Sequence, residues 1–106
     1  MKLKGDGRVA NKRQFVQLRE PTPGSLGLRS RADGMGLDSM GRLYVATGSG
    51  IQVIDSRGRH LGTIRVPAIV RNVAFAGPRR HTLYMTALES LYRVELLSEG
   101  PPGRAK

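Results

Sequence analysis

Residues 42–54 decide the fold: Arg-Leu-Tyr-Val-Ala at 42–46 and Ile-Gln-Val-Ile at 51–54 flank the turn Thr-Gly-Ser-Gly at 47–50. Both runs are rich in β-branched and aromatic residues, and glycine-containing turns bound them. They predict two antiparallel strands joined by a tight turn. Short apolar runs at 34–37 and 60–66 lie on either side, so residues 34–66 predict one four-stranded antiparallel sheet.

The same pattern then returns. The runs at 72–75, 82–86 and 90–94 repeat the first three strands after about 40 residues. A repeat of this length, with four short strands in each unit, is typical of β-propeller blades. A single β-sandwich, the alternative, also has short strands but does not predict the repeat. The sequence therefore favours an all-β chain built of propeller blades.

The strands do not divide evenly between two units. Residues 14–18 alternate polar and apolar side chains, which predicts one more strand that belongs to neither unit. One strand, then four, then three amount to two four-stranded blades cut out of phase. We predict a basic flexible N-terminal segment at 1–13, a two-blade unit at 14–97 and a polar tail at 98–106.

Composition limits the partners. Eighteen Lys and Arg against eight Asp and Glu give a net charge of +10, but the basic residues are scattered and accompany no nucleic-acid motif. We therefore do not expect nucleic acid to be the partner. The absence of cysteine excludes disulfides and thiolate metal sites and fits a cytoplasmic location. No apolar run has the length of a membrane span, and no secretory signal is present.

Several motifs identify a family. Ala-Asp-Gly-Met at 32–35, residues 41–47, residues 72–78 and Thr-Leu-Tyr-Met-Thr-Ala at 82–87 appear in this order. Over residues 14–97 the chain resembles the SMP-30/gluconolactonase family, whose corresponding motifs read Pro-Asp-Gly-Met, Gly-Asn-Leu-Tyr-Val-Ala-Thr and Asn-Val-Ala-Phe-Gly-Gly-Pro. The resemblance implies a six-bladed propeller that hydrolyses lactones with a divalent metal in its central channel. It also implies that this chain corresponds to about the last third of such a propeller.

The resemblance points to two candidate site residues. Asp33 matches the aspartate that ligates the metal and acts as general base, and Asn72 is interpreted as its equivalent one repeat later, a second candidate metal ligand. Ca²⁺ or Mg²⁺ is favoured because both donors are hard oxygens, and Zn²⁺ stays open. The family's metal-ligating Glu and Asn come from blades that this chain does not contain, and Ala32 replaces the usual proline. The alternative is that both side chains only cap turns.

Two isolated blades leave sheet faces and strand edges uncovered, so the chain is either a fragment of a longer gene product or assembles with copies of itself. The out-of-phase cut between the blades favours assembly. We expect a head-to-tail homotrimer in which residues 14–18 complete the open blade of a neighbour. Three copies of Asp33 and of Asn72 would then surround one channel.

Three functions follow as alternatives. The first is metal-dependent hydrolysis of a lactone or related ester, and the second is a propeller scaffold that binds a small molecule without turnover. The third is binding of an anionic partner by the basic N-terminal segment, through Lys2, Lys4, Arg8, Lys12 and Arg13.

Overall fold

The computed structural model of the chain describes residues 2–3, 9–19 and 31–101. Described residues form nine β-strands and one 3₁₀ turn at Pro78–Arg80. The strands are β1 Lys2–Leu3, β2 Val9–Ala10, β3 Met35–Leu37, β4 Leu43–Thr47, β5 Gly50–Ile54, β6 His60–Ile64, β7 Asn72–Ala76, β8 Thr82–Ala87 and β9 Ser90–Glu95.

Seven of these strands form two antiparallel sheets, as the repeat predicts. The first blade has the order β3-β4-β5-β6, and the second has the order β7-β8-β9. Sequence neighbours are also neighbours in each sheet, because tight turns join consecutive strands. The first blade is irregular at Val53/Ile54, where a bulge shifts the register toward β6.

The core lies between the two blades. We call the face of a blade that points to the following blade its trailing face, and the opposite face its leading face. Tyr44, Ala46 and Ile51 on the trailing face of the first blade pack against Val73 and Phe75 on the leading face of the second. The remaining members of this core are Val70, Leu83, Met85 and Ala87.

In each blade we call the first strand (β3 or β7) the inner strand, and the half of a face toward the last strand (β6 or β9) its outer half. The leading face of the first blade is covered over its outer half. Gln52 and Ile54 of β5 are fully buried on this face. The side-chain amide of Gln52 donates to the carbonyl of Arg19 over 2.7 Å and accepts the Arg19 N–H over 2.9 Å. Phe15 lies against Gly58, in the turn that follows β5. Residues 15–19 therefore lie along the first blade of their own chain.

These contacts correct the prediction for residues 14–18, which have no regular secondary structure. The backbone of the next residue, Arg19, bonds to the side-chain amide of Gln52 instead of to a strand, so the alternating sequence precedes an extended contact but forms no ladder. Within the segment predicted to be flexible, Lys2–Leu3 pairs with Val9–Ala10 as a two-stranded sheet. Lys4, Arg8 and residues 20–30 lie outside the described residues.

The start of the polar tail bonds to the rest of the chain. The carbonyl of Glu99 accepts the Ser39 N–H over 2.6 Å, and the Gly100 N–H donates to the carbonyl of Arg80 over 2.8 Å. The Ser98 hydroxyl lies 2.7 Å from the Tyr44 hydroxyl. Residues 98–100 thus connect the two blades at the end of the sheets where β3 terminates.

Candidate functional site

The two inner strands begin at the same end of the molecule. Just before β3, the Asp33 N–H donates to the carbonyl of Ala46 over 3.0 Å, and just before β7, the Arg71 N–H donates to the carbonyl of Thr86 over 2.8 Å. Ala46 and Thr86 are equivalent positions, because each directly precedes the last residue of its strand. That last residue, Thr47 or Ala87, pairs with the first residue of the next strand. Asp33 and Arg71 are therefore equivalent positions of the repeat.

This register corrects the interpretation of Asn72 as the equivalent of Asp33. Met35 pairs with Val45 and Val73 pairs with Met85, so Asn72 corresponds to Gly34. The reason lies in the connections between the strands. Leu37 pairs with Leu43, and their equivalents, Phe75 and Leu83, lie two residues further apart in the sequence. The extra length lies at the 3₁₀ turn, where a sequence comparison cannot place it.

Backbone contact brings the starts of the two blades together. The Gly34 N–H donates to the carbonyl of Arg71 over 2.8 Å. The guanidinium Nη1 of Arg71 lies 3.6 Å from Oδ2 of Asp33, and both side chains are about half exposed. An ion pair this exposed contributes less than about 1 kcal/mol to stability. The carboxylate of Asp33 is therefore positioned beside a cation but stays accessible to a ligand.

Asn72 completes the cluster. Its amide occupies the place where a Cβ on Gly34 would stand, so the side chain of Asn72 lies directly against the Gly34 backbone. Oδ1 of Asn72 accepts the N–H of Val73 over 3.0 Å, and the residue as a whole is exposed. The structure thus brings together the two predicted site residues, Asp33 and Asn72, and adds Arg71, which the sequence analysis missed. In the sequence Arg71 directly precedes Asn72, but only the strand register shows that Arg71 is the equivalent of Asp33.

The cluster has the donor chemistry of a divalent-cation site but not a complete ligand set. Asp33 and Asn72 supply hard oxygens of the kind that Ca²⁺ and Mg²⁺ prefer, whereas Ca²⁺ takes about six to eight oxygen ligands. Within residues 2–3, 9–19 and 31–101, no group of three or more His, Cys, Asp or Glu could hold a metal. Arg71 competes with a cation for Asp33. The remaining ligands would have to come from outside this cluster.

An open groove of about 610 Å³ lies at the same end of the second blade, between Ala68 and the turn that joins β8 to β9. Leu88 and Glu89 form the tip of that turn, and both are exposed. Leu88 has a φ of 48°, in the left-handed region that non-glycine residues rarely adopt. The groove shares no lining residue with the Asp33, Arg71 and Asn72 cluster, and is linked to it through Ala87, which follows the residue whose carbonyl bonds Arg71.

The other aspartates of the first blade act in turns at the opposite end. Asp38 accepts hydrogen bonds from the N–H groups of Met40 and Arg42, the Arg42 Nε and the Tyr44 hydroxyl. Burial opposes ionisation of Asp38, but these hydrogen bonds outweigh it and lower the pKa of the carboxyl. Asp55 repeats the arrangement in the β5–β6 turn with Arg57 and Arg59. These carboxylates are fully used in the turns and are not site residues.

The fold and the cluster define the class of the protein: two adjacent β-propeller blades with charged and amide side chains at the start of the inner strands. The chain belongs to the SMP-30/Gluconolactonase/LRE-like family, whose family model matches residues 2–89. This confirms the family that the motifs at 32–35 and 72–78 indicate.

Solved structures that resemble the chain include the X-ray structure of a presumed gluconolactonase, with a TM-score of 0.77 and 25% sequence identity. The match covers 96% of this chain but only 32% of that protein. No curated protein matches the chain. Among the described residues, no helix is long and apolar enough to cross a membrane.

Proposed function

We propose that the chain supplies one section of a gluconolactonase-like propeller that hydrolyses lactones or related esters with the help of a divalent cation. The proposed site is the channel end at which β3 and β7 begin. Family membership over residues 2–89 supports the reaction class. Since the chain spans 32% of a solved relative, it contributes only some of the residues of such a site.

One observation carries the proposal. The hydrogen bond from Gly34 to the carbonyl of Arg71 holds the starts of two separate blades together. Asp33, Arg71 and Asn72 consequently share one end of the inner strands, although they come from different repeats. A propeller concentrates groups from successive blades around its axis in this way, and lactone hydrolysis needs several groups to converge on one carbonyl.

Each residue then has a specific role. Asp33 and Asn72 would provide oxygen ligands to the cation, which when bound polarises a carbonyl and lowers the pKa of water. The carboxylate of Asp33 would accept the proton of the attacking water. Arg71, 3.6 Å from that carboxylate, would stabilise negative charge as it develops on the lactone oxygen.

The test is hydrolysis of a panel of sugar lactones and alkyl lactones, with and without added Ca²⁺, Mg²⁺ or Zn²⁺. Asp33→Asn should lower kcat/KM at least 100-fold, the scale of losing a general base. Asp55→Asn is the matched control, because Asp55 lies in a turn at the opposite end and should leave turnover unchanged. Metal-independent turnover, or equal activity of both variants, would contradict the proposal.

A second candidate is a propeller that binds a small anionic molecule without converting it. The observation that favours it is Arg71, whose guanidinium lies 3.6 Å from Asp33 and competes with a metal for that carboxylate. The two candidates predict opposite effects of Arg71→Ala. Removing a competing cation should tighten metal binding at Asp33, whereas loss of an anion-binding group should abolish thermal stabilisation by carboxylate or phosphate ligands. Titration calorimetry with Ca²⁺ and a thermal-shift screen distinguish the two.

A further inference from the structure

We propose that the trailing face of the second blade docks onto the inner half of the leading face of the first blade in another copy of this chain, and that three copies close a ring. The proposal depends on the blade repeat and not on the lactonase activity. It assigns an interface and names the residues that form it.

The contact between the two blades of one chain shows how neighbouring blades pack. Tyr44 meets Phe75 edge-to-face, with ring centroids 5.0 Å apart and planes at 88°. A Cβ placed on Gly36 lies 3.5 Å from Cγ2 of Val73. In this packing a small residue and a tyrosine on the trailing face meet two large apolar side chains on the next leading face.

The second blade presents the same trailing surface, but its residues are more exposed than their equivalents in the first blade. By sheet register Ala74 stands where Gly36 stands in the first blade, and Tyr84 stands where Tyr44 stands. Leu91 is the equivalent of Ile51, but Ile51 is fully buried whereas Leu91 is 65% exposed. Removing such a leucine from water is favourable, so this face favours a partner.

The complementary surface lies on the first blade. Met35 is the equivalent of Val73 and Leu37 of Phe75, the two residues that receive the first blade inside the chain. Met35 is 55% exposed and Leu37 is 46% exposed. Both surfaces needed for a head-to-tail contact are therefore present on one chain, which is the argument for a second copy as the occupant.

The N-terminal segment limits where this contact forms. Residues 15–19 cover the outer half of the leading face around Gln52, which leaves only the inner half around Met35 and Leu37 for the second copy. In the ring this segment would lie next to the outer edge of β9 of the adjoining copy. Among the described residues, no strand pairs with that edge. The predicted strand exchange between copies stays a prediction, while within one chain this segment covers the chain's own blade.

The number three comes from counting blades. This chain forms two blades and aligns with 32% of a gluconolactonase-type chain, so three copies would supply about as many blades as one such chain. Repetition of the rotation that relates the two blades also places three sets of Asp33, Arg71 and Asn72 around one axis. Because Asp33 and Arg71 are repeat equivalents, carboxylates and guanidinium groups would alternate around it. The ligand set that is incomplete in one chain would be completed only in the ring.

The first experiment is the solution mass of the full chain by light scattering after size-exclusion chromatography. We expect about 35 kDa, three times the 11.6 kDa of the chain. Leu37→Arg should reduce the mass to that of a monomer while the circular dichroism spectrum stays β-rich. The matched control is Leu61→Arg, since Leu61 is similarly exposed but lies on the outer strand β6. A monomeric wild-type chain, or equal effects of the two variants, would overturn the proposal.

A covalent test does not rely on a disruptive variant. The chain has no cysteine, so Met35→Cys combined with Ala74→Cys introduces one thiol on each proposed face. In the ring the two thiols come from different copies and should form disulfides, which upon oxidation give a trimer on a non-reducing gel. Leu61→Cys combined with Ala74→Cys should stay monomeric on that gel. Absence of cross-linking in the first pair would overturn the interface even if lactone hydrolysis were confirmed.

Discussion

The phenolic hydroxyl of Tyr44 donates a hydrogen bond of 2.9 Å to Oδ2 of Asp38, and both residues are buried. The same tyrosine packs its ring on Phe75 of the second blade. A single side chain therefore joins the turn after β3 to the interface between the blades. Stability of the turn and of the interface should be coupled through it.

The first prediction concerns Asp38. Asp38→Ala should lower the free energy of unfolding by about 3 kcal/mol, because it leaves the Tyr44 hydroxyl and the Arg42 guanidinium without their buried acceptor. Urea denaturation followed by circular dichroism measures the change. Asp55→Ala is the control: the turn is alike but its arginine is exposed, so the loss should be much smaller. Equal losses would mean that burial of Asp38 contributes nothing.

The second prediction concerns acid stability. The hydrogen bonds lower the pKa of Asp38 in the folded chain below that of an unfolded aspartate, about 3.9. Between the two pKa values the unfolded chain binds more protons, so stability should be complete above about pH 4 and fall as the pH drops through the folded pKa. Melting temperatures from pH 2 to 7 should fall less steeply for Asp38→Asn than for wild type. Parallel curves for the two proteins would contradict the assignment.

The third prediction concerns the covering segment at residues 15–19. Gln52 both donates to and accepts from the backbone of Arg19, so Gln52→Ala removes these two hydrogen bonds together with the longer ones to Thr47 and Ser49, and should destabilise the chain by about 2 kcal/mol. Residues 15–19 should then detach, and trypsin should cleave after Arg19 much faster than in wild type. Gln17→Ala, at an exposed position of the same segment, is the control. Unchanged cleavage after Gln52→Ala would show that other contacts hold the segment.

The fourth prediction compares two glycines of the first blade. Gly50 has a φ of 123°, and a Cβ there would overlap the backbone carbonyl of Ile64. Gly50→Ala should therefore cost about 3 kcal/mol through backbone strain and steric overlap. Gly62 lies in β6 with nothing within 4 Å of a Cβ, so Gly62→Ala should be neutral or stabilise by up to about 1 kcal/mol. Thermal unfolding of both variants checks the pair, and a similar loss in both would refute the explanation.

The sequence predicted the strands from β4 to β9 to within about two residues, because their alternation and the glycine turns between them are local signals. It failed at residues 14–18, where the same alternation belongs to an extended segment. Alternation reports that one side of a segment is buried, but not whether its backbone bonds to a strand or to an amide such as Gln52. The pairing of β1 with β2 went unpredicted because each strand has only two residues, too few to show a pattern.

The candidate site was only partly predictable for a different reason. Asp33 and Asn72 could be selected from motifs, but Arg71 enters through the register between β7 and β8. Register depends on where the longer connection places its extra residues, and that is decided by packing of Val73 and Phe75 in the core. No pattern within one repeat carries this information.

The short strand β3 has an aspartate at each end, and their tasks are separate. Asp38 satisfies a buried turn, while Asp33 lies half exposed on a weak ion pair. Replacement of Asp33 should therefore leave the blades folded, and natural variation at that position is not restrained by the need to fold. Descendants of such a chain can lose or exchange their chemistry at one end of β3 while the other end keeps their architecture intact.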